Sequence, residues 1–353
     1  MKTLIIVTLL LALPPALTPT VLAEPIDFGN MQIATTTWGQ VAYEGCPHLL
    51  AGLNNEVYFV VSDDGSANPS KLLRYNPLSG LSDGMNHSTV AETTARFVAL
   101  REINDQLYFS DTLGNVHSYD GSTLTAISGT PFTANNYVSS IEEHNGSIYF
   151  GTSVSRIYRY DGYTYEEVFG GENRVSIMDM ASWEKDGYLY VGVGPINACC
   201  PPTGYTIRSN SGNAGSWETV FQDFWDTHIL LPTENSIYAS VIDSAYWFGS
   251  SIRKSSDGTN FDVISQSSGE YKWAWGALYH DEIAYFFAND IFSGPGYSII
   301  DENGSVSLVS NTDLMLTHAI ELNGEIYALA SYPSYNYISA LPTDVYLITT
   351  ADS

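Results

Sequence analysis

The chain has 353 residues, 44% of them apolar, and 39 Asp and Glu against 13 Lys and Arg give a net charge of −26. That apolar fraction supports a buried core and excludes disorder as the class of the whole chain. The charge excludes nucleic acid and anionic lipid as partners, because both would be repelled.

Residues 1–23 read as a cleaved signal peptide. Lys2 is the positive start, Leu4 to Leu13 the apolar stretch, and Val21-Leu22-Ala23 a small-residue cleavage site. Pro14 and Pro15 interrupt the apolar run short of the roughly 20 residues that a membrane helix needs. The expectation is a secreted, extracellular protein of residues 24–353 with no membrane span. Gln32 to Thr37 then form a strand-like run that belongs to no repeat.

From residue 54 onward one pattern recurs: a polar turn, an aliphatic residue, then Tyr. It is seen in Asn54-Asn55-Glu56-Val57-Tyr58, Asn104-Asp105-Gln106-Leu107-Tyr108 and Asn145-Gly146-Ser147-Ile148-Tyr149. Further copies end at Tyr190, Tyr238, Ala284 and Tyr327, so the seven anchors lie 41–50 residues apart. That is the period of propeller blades, and the alternation of Tyr, Val and Ile with polar residues is strand chemistry. Each repeat parses as four strands; in the second these are Phe97–Leu100, Gln106–Phe109, Asn115–Tyr119 and Leu124–Ile127, with Asp120-Gly121 as a hairpin turn. The last repeat lacks a fourth strand after Thr349. Pairing with Gln32–Thr37 would close the ring and remove a sheet edge. The expected fold is an all-β, seven-bladed β-propeller of four-stranded antiparallel blades.

At these residues the chain resembles two propeller types. The Gly-x-Ile-Tyr and Tyr-Asp-Gly spacings resemble kelch-type blades, although the only Gly-Gly pair, Gly170-Gly171, is displaced. Ser255 to Phe261 resembles a shortened Asp-box, the hairpin turn of sialidase-type propellers, and Ser216-Trp217 a reduced copy one blade earlier. These motifs imply an architecture and stabilise turns. They carry no catalysis.

In such an architecture the longer connections meet on one face, over the central channel. Trp225, Asp226, Trp247, Trp273, Trp275, Asp290 and Tyr335 fall there and form the candidate ligand-binding set, since aromatic faces beside carboxylates suit a sugar ring. The alternative is that these aromatics pack the loops together. Arg74, Arg159, Arg208 and Arg253 fall at the outer turn of four repeats, away from the channel, which argues against a sialidase-like arginine cluster. Asp179, Asp223, Asp226 and Asp290 are the carboxylates a glycosidase would draw on. No nucleophile-elbow, zinc-protease or P-loop motif is present.

His48 and His228 lie ten residues before their anchors and His318 nine before its own, which makes them candidate transition-metal ligands near the channel mouth. The alternative is channel-lining histidines bonded to water or backbone. Calcium is the other candidate cation, at Ser62-Asp63-Asp64-Gly65-Ser66-Ala67-Asn68, against a plain solvated loop. Cys199 and Cys200 form a vicinal disulfide, or one of them pairs with Cys46, or all three are merely tolerated. Asn86, Asn145 and Asn303 head glycosylation sequons. Together these features point to a secreted, non-enzymatic binding propeller with a glycan or an extracellular surface protein as partner. The competing readings are a carbohydrate-active lyase or hydrolase, with or without assistance from a metal, and a structural subunit of an extracellular assembly.

Overall fold

The computed structural model describes residues 25–28, 31–39, 49–62, 70–76, 87–171, 175–195, 204–222, 226–242, 250–266, 272–290, 294–301, 304–310, 315–331 and 343–350. Twenty-eight strands form seven four-stranded antiparallel sheets, and no α-helix occurs among these residues. Each innermost strand contacts the innermost strands of the blades before and after it, so the sheets stand in a ring. The molecule is a seven-bladed β-propeller. The innermost strands, in blade order, are Leu50–Leu53, Phe97–Ile103, Val138–His144, Val175–Trp183, Asp226–Pro232, Lys272–His280 and Met315–Leu322.

Six blades are simple meanders of consecutive strands. The seventh is completed by the N-terminal strand, Gln32–Gly39, which pairs with Thr343–Thr349 from Gln32↔Thr349 to Gly39↔Thr343. The closure read from the sequence is thus present. Just before that strand, Phe28 is buried in edge-to-face contact with Tyr285, Phe287 and Tyr297. The Ile26 N–H donates to the Tyr285 hydroxyl at 2.9 Å. The start of the described chain is therefore part of the core between blades 6 and 7.

Burial follows the distance from the axis. The middle strand Ile237–Ile242 is buried at every position, whereas the outermost strand Leu124–Ala126 is exposed throughout. Seven apolar clusters result, one at each blade-to-blade contact. The core is a ring of wedges, not one central mass.

In five blades the turn between the first and second strands is two residues long, with both residues in the left-handed region. Asn54 and Asn55, Asn104 and Asp105, and Asp281 and Glu282 all have φ between 47° and 65°. Such pairs match the twist of the flanking strands. They also fix where the anchor tyrosine falls, on the third residue after the turn. In blade 6 that residue is Tyr285, paired with Leu278, and not Ala284. The sequence anchor there was one residue early, because Asp281-Glu282 replaces the Asn-rich turn of the other blades.

These tyrosines pin each blade to the next. The Tyr149 hydroxyl points to the Ser211 carbonyl at 3.5 Å and the Tyr190 hydroxyl to the Gly258 carbonyl at 3.2 Å, each in the next blade's outer turn. Tyr58 packs on Tyr119 and Tyr327 on Tyr75. Burial raises the pKa of all seven, Tyr58, Tyr108, Tyr149, Tyr190, Tyr238, Tyr285 and Tyr327.

The outer turns that receive them share one carboxylate device. Asp257 Oδ1 accepts the N–H groups of Thr259 and Asn260, both at 2.8 Å. Asp120 and Asp161 each accept the same two N–H groups of their own turns. These hydrogen bonds hold all three carboxyls below the usual range. The Asp-box-like turn has a relative one blade earlier. Gly212 N–H donates to Ser209 Oγ at 2.8 Å, as Gly258 N–H does to Ser255 Oγ at 2.9 Å.

Candidate functional site

The ends of the innermost strands away from these turns are built differently. Six of the seven carry one extra residue at the same place: Val98, Ser139, Met178, His228, Trp275 and Thr317. A bulge sets two residues against one and increases local twist. Here it coincides with the closest approach between blades. Ser110 Oγ donates to the Val138 carbonyl at 2.9 Å, and Ser139 Oγ to the Ile177 carbonyl at 2.7 Å. Where glycine stands at this level the backbones meet directly. A Cβ on Gly192 or Gly276 would overlap the carbonyl oxygen of Thr227 or Thr317.

The bulge accounts for the one-residue offset of the histidines. His228 occupies it in blade 5, whereas blade 7 has Thr317 there and His318 follows. His228 Nδ1 lies 3.8 Å from Asp226 Oδ2, with both side chains buried. Asp226 Oδ1 has no hydrogen-bond partner among the described residues. His318 Nδ1 meets Thr317 Oγ1 at 3.0 Å in its own strand. Among the described residues no three His, Cys, Asp or Glu side chains gather as a metal site. His48 lies outside the described residues, as do Cys46, Cys199, Cys200 and residues 63–68 of the candidate calcium loop.

Of the candidate ligand-binding residues, Trp273 and Trp275 lie in the innermost strand of blade 6, not in a loop, and Asp290 ends the second strand there. The pairing Lys272↔Asp290 and Trp273↔Asn289 brings them to one end of that blade. Asp226 opens the innermost strand of blade 5. Trp225, Trp247, Tyr335 and Asp223 lie outside the described residues. Asp179 has a structural task, since its two oxygens accept the N–H groups of Met180 and, across the blade contact, Leu230, both at 2.8 Å. The four arginines set aside above all lie in third strands. Arg208, for example, stacks 4.2 Å over Tyr188 and bonds Glu218.

The innermost strands enclose a cavity of about 460 Å³, lined by residues of blades 1, 2, 4, 5, 6 and 7. Its walls are mostly apolar, including Leu50, Met180, Ile229 and Ala319, with His318 set among them. Near the turn face it gains Arg101, Tyr279 and Glu321. Arg101 is paired with Glu142 of blade 3 at 2.5 Å. Glu321 lies 2.9 Å from His280 Nδ1 across the contact of blades 6 and 7. Sequence reading passed over these three, yet they sit six or seven residues before the anchors Tyr108, Tyr285 and Tyr327. Counting back from a correctly placed anchor would have found them.

No family model matches the chain, and no curated protein matches it. Solved structures do. A chain of a crystal structure of the mitotic checkpoint complex is 12% identical with a TM-score of 0.60, over 98% of this chain and 100% of that one. The WD40 β-propeller domain of Doa1 is 11% identical with a TM-score of 0.57, over 90% and 97%. At such identity the likeness speaks for the fold alone, and it is the fold of a β-propeller whose blades follow one another around a closed ring.

Proposed function

We propose that this chain is an exported, non-enzymatic binding propeller that engages its partner through the face opposite the tight turns, with a glycan as the small ligand. The propeller fold is compatible with a protein-interaction role but does not by itself choose one, so the reading rests on the faces of this molecule. The observation that carries the reading is the asymmetry of the two faces. Two-residue turns close one end of most blades, whereas the other end carries connections such as residues 196–204, 243–249 and 332–342. Binding residues concentrate on loops held by a rigid scaffold. Asp226, Trp273, Trp275 and Asp290 stand at the strand ends that lead into that face.

A glycan array probed with the purified protein tests the proposal. Saturable binding to one class of saccharide, accompanied by a change in tryptophan fluorescence on titration, is expected. Release of reducing ends from the bound saccharide would replace it with the carbohydrate-active enzyme. An array with no binder would remove the glycan.

A further inference from the structure

We infer that the central channel is a second binding site, for a small organic cation with an apolar body that enters from the turn face. A volume of about 460 Å³ lies within the size range of small-molecule sites. Leu50, Met180, Ile229 and Ala319 make most of the wall apolar, and His318, whose Nδ1 meets Thr317 Oγ1 at 3.0 Å, is the polar residue set among them. An apolar body fits them by burial alone.

The charge at the mouth selects the head group. Arg101 is the one Lys or Arg among the lining residues, and Glu142 already neutralises it at 2.5 Å. Glu142 Oε1 also accepts the Ser182 N–H at 3.4 Å, which holds the carboxylate in place. An anionic ligand would have to displace Glu142 from Arg101. Glu321, by contrast, keeps an exposed carboxylate, held 2.9 Å from His280 Nδ1. Glu102, exposed at the same register in blade 2, lies outside the lining and accepts the Asp105 N–H of its own turn at 2.8 Å, so Glu321 is the carboxylate that faces the mouth. Low-dielectric walls focus this negative potential inward. Tyr279 lines the same end, packed against the apolar cluster between blades 5 and 6, and is the aromatic neighbour a cation would meet there.

The site is distinct from the loop face and does not depend on the glycan reading. Isothermal titration of the purified full chain with n-hexylammonium chloride tests it, with n-hexanol and sodium hexanoate as neutral and anionic controls. One-to-one binding of the ammonium alone is expected, weakening as salt is added. Glu321→Gln should weaken it about tenfold, the loss of one partly shielded charge contact. Ala319→Phe, which fills the channel from the wall, should abolish it. Ala277→Leu decides the point if the phenylalanine variant does not fold, as judged by circular dichroism. Absence of binding at millimolar ligand, equal binding of hexanol or hexanoate, or unchanged affinity in the folded channel-filling variant would each overturn the inference.

Discussion

At the turn end of the innermost strands the chain repeats one chemistry, with left-handed Asn or Asp pairs, tyrosine pins and carboxylate-bound outer turns. At the opposite end it repeats one geometry with unrelated residues: Val98, Ser139, Met178, His228, Trp275 and Thr317 all occupy the same bulge. The first end is specified by short-range needs, since a two-residue turn demands φ > 0 and a buried hydroxyl demands an acceptor. The second is specified by the approach of neighbouring backbones, which any side chain tolerates provided its neighbour yields. Conserving a chemistry at one end leaves the other free to carry a site.

The comparison can be broken most severely at ring closure, where neither device acts. Deleting residues 25–39 removes Phe28 and the outermost strand of blade 7 and leaves Thr343–Thr349 as an open edge. Insoluble protein, or a fall in Tm of about 20 °C or more by differential scanning calorimetry, is expected. An unchanged Tm would mean that the strand is an accessory.

The two ends can next be compared by single substitutions. Tyr190→Ala should destabilise by about 3–5 kcal/mol, because it empties a fully buried pin. Gly276→Ala should cost about 1–3 kcal/mol, because the added methyl meets backbone at Thr317 that cannot step aside. Urea unfolding measures both. If Gly276→Ala proves neutral, the close approach at the bulges is not a constraint.

Tyr190→Phe should cost less than Tyr190→Ala, about 1–3 kcal/mol, since it removes the hydroxyl's bonds with Asp186, Arg208 and the Gly258 carbonyl and keeps the ring. If it matches Tyr190→Ala, the ring contributes nothing.

The turn end should also titrate. Asp120, Asp161 and Asp257 are depressed in the folded state, so their stabilisation is present above the unfolded value near 3.9 and is lost as pH falls. The buried tyrosines are raised above their ordinary 10.0, so their contribution is complete below that pH and is lost as pH rises past it. Tm measured across pH should fall at both limits. Asp257→Asn should flatten the acid limb slightly and leave the alkaline limb alone. An acid limb that does not respond would assign it to other carboxylates.

The seven-blade repeat was legible because it rests on turn chemistry: Asn54-Asn55 and Asp120-Gly121 announce themselves from adjacent residues, whereas the closure was legible from a strand-like run, Gln32–Thr37, that belongs to no repeat and a last repeat short of one strand. Blade 6 slipped by one because Asp281-Glu282 adopts the same backbone without the usual residues. The bulges were not legible, since nothing in Val98, Met178 and Thr317 is shared. For that reason His228 and His318 looked like near-equivalents in the sequence, whereas one sits on the bulge and the other just past it. Arg101, Tyr279 and Glu321 were missed for a related reason. They meet only around the ring, from blades 2, 6 and 7, and no spacing along the chain announces that.

The closure of blade 7 also sets an order of events during synthesis. Gln32 meets Thr349 across 317 residues of chain, so the first strand made is among the last to find its partner. Until Thr343–Thr349 has been made, Gln32–Gly39 has no mate, and Phe28 waits for Tyr285, Phe287 and Tyr297 of blade 6, while blades 1 to 5 can already stack as they emerge. The growing protein is therefore an open arc with adhesive strands at both ends, and for that interval it is most exposed to pairing with another copy of itself.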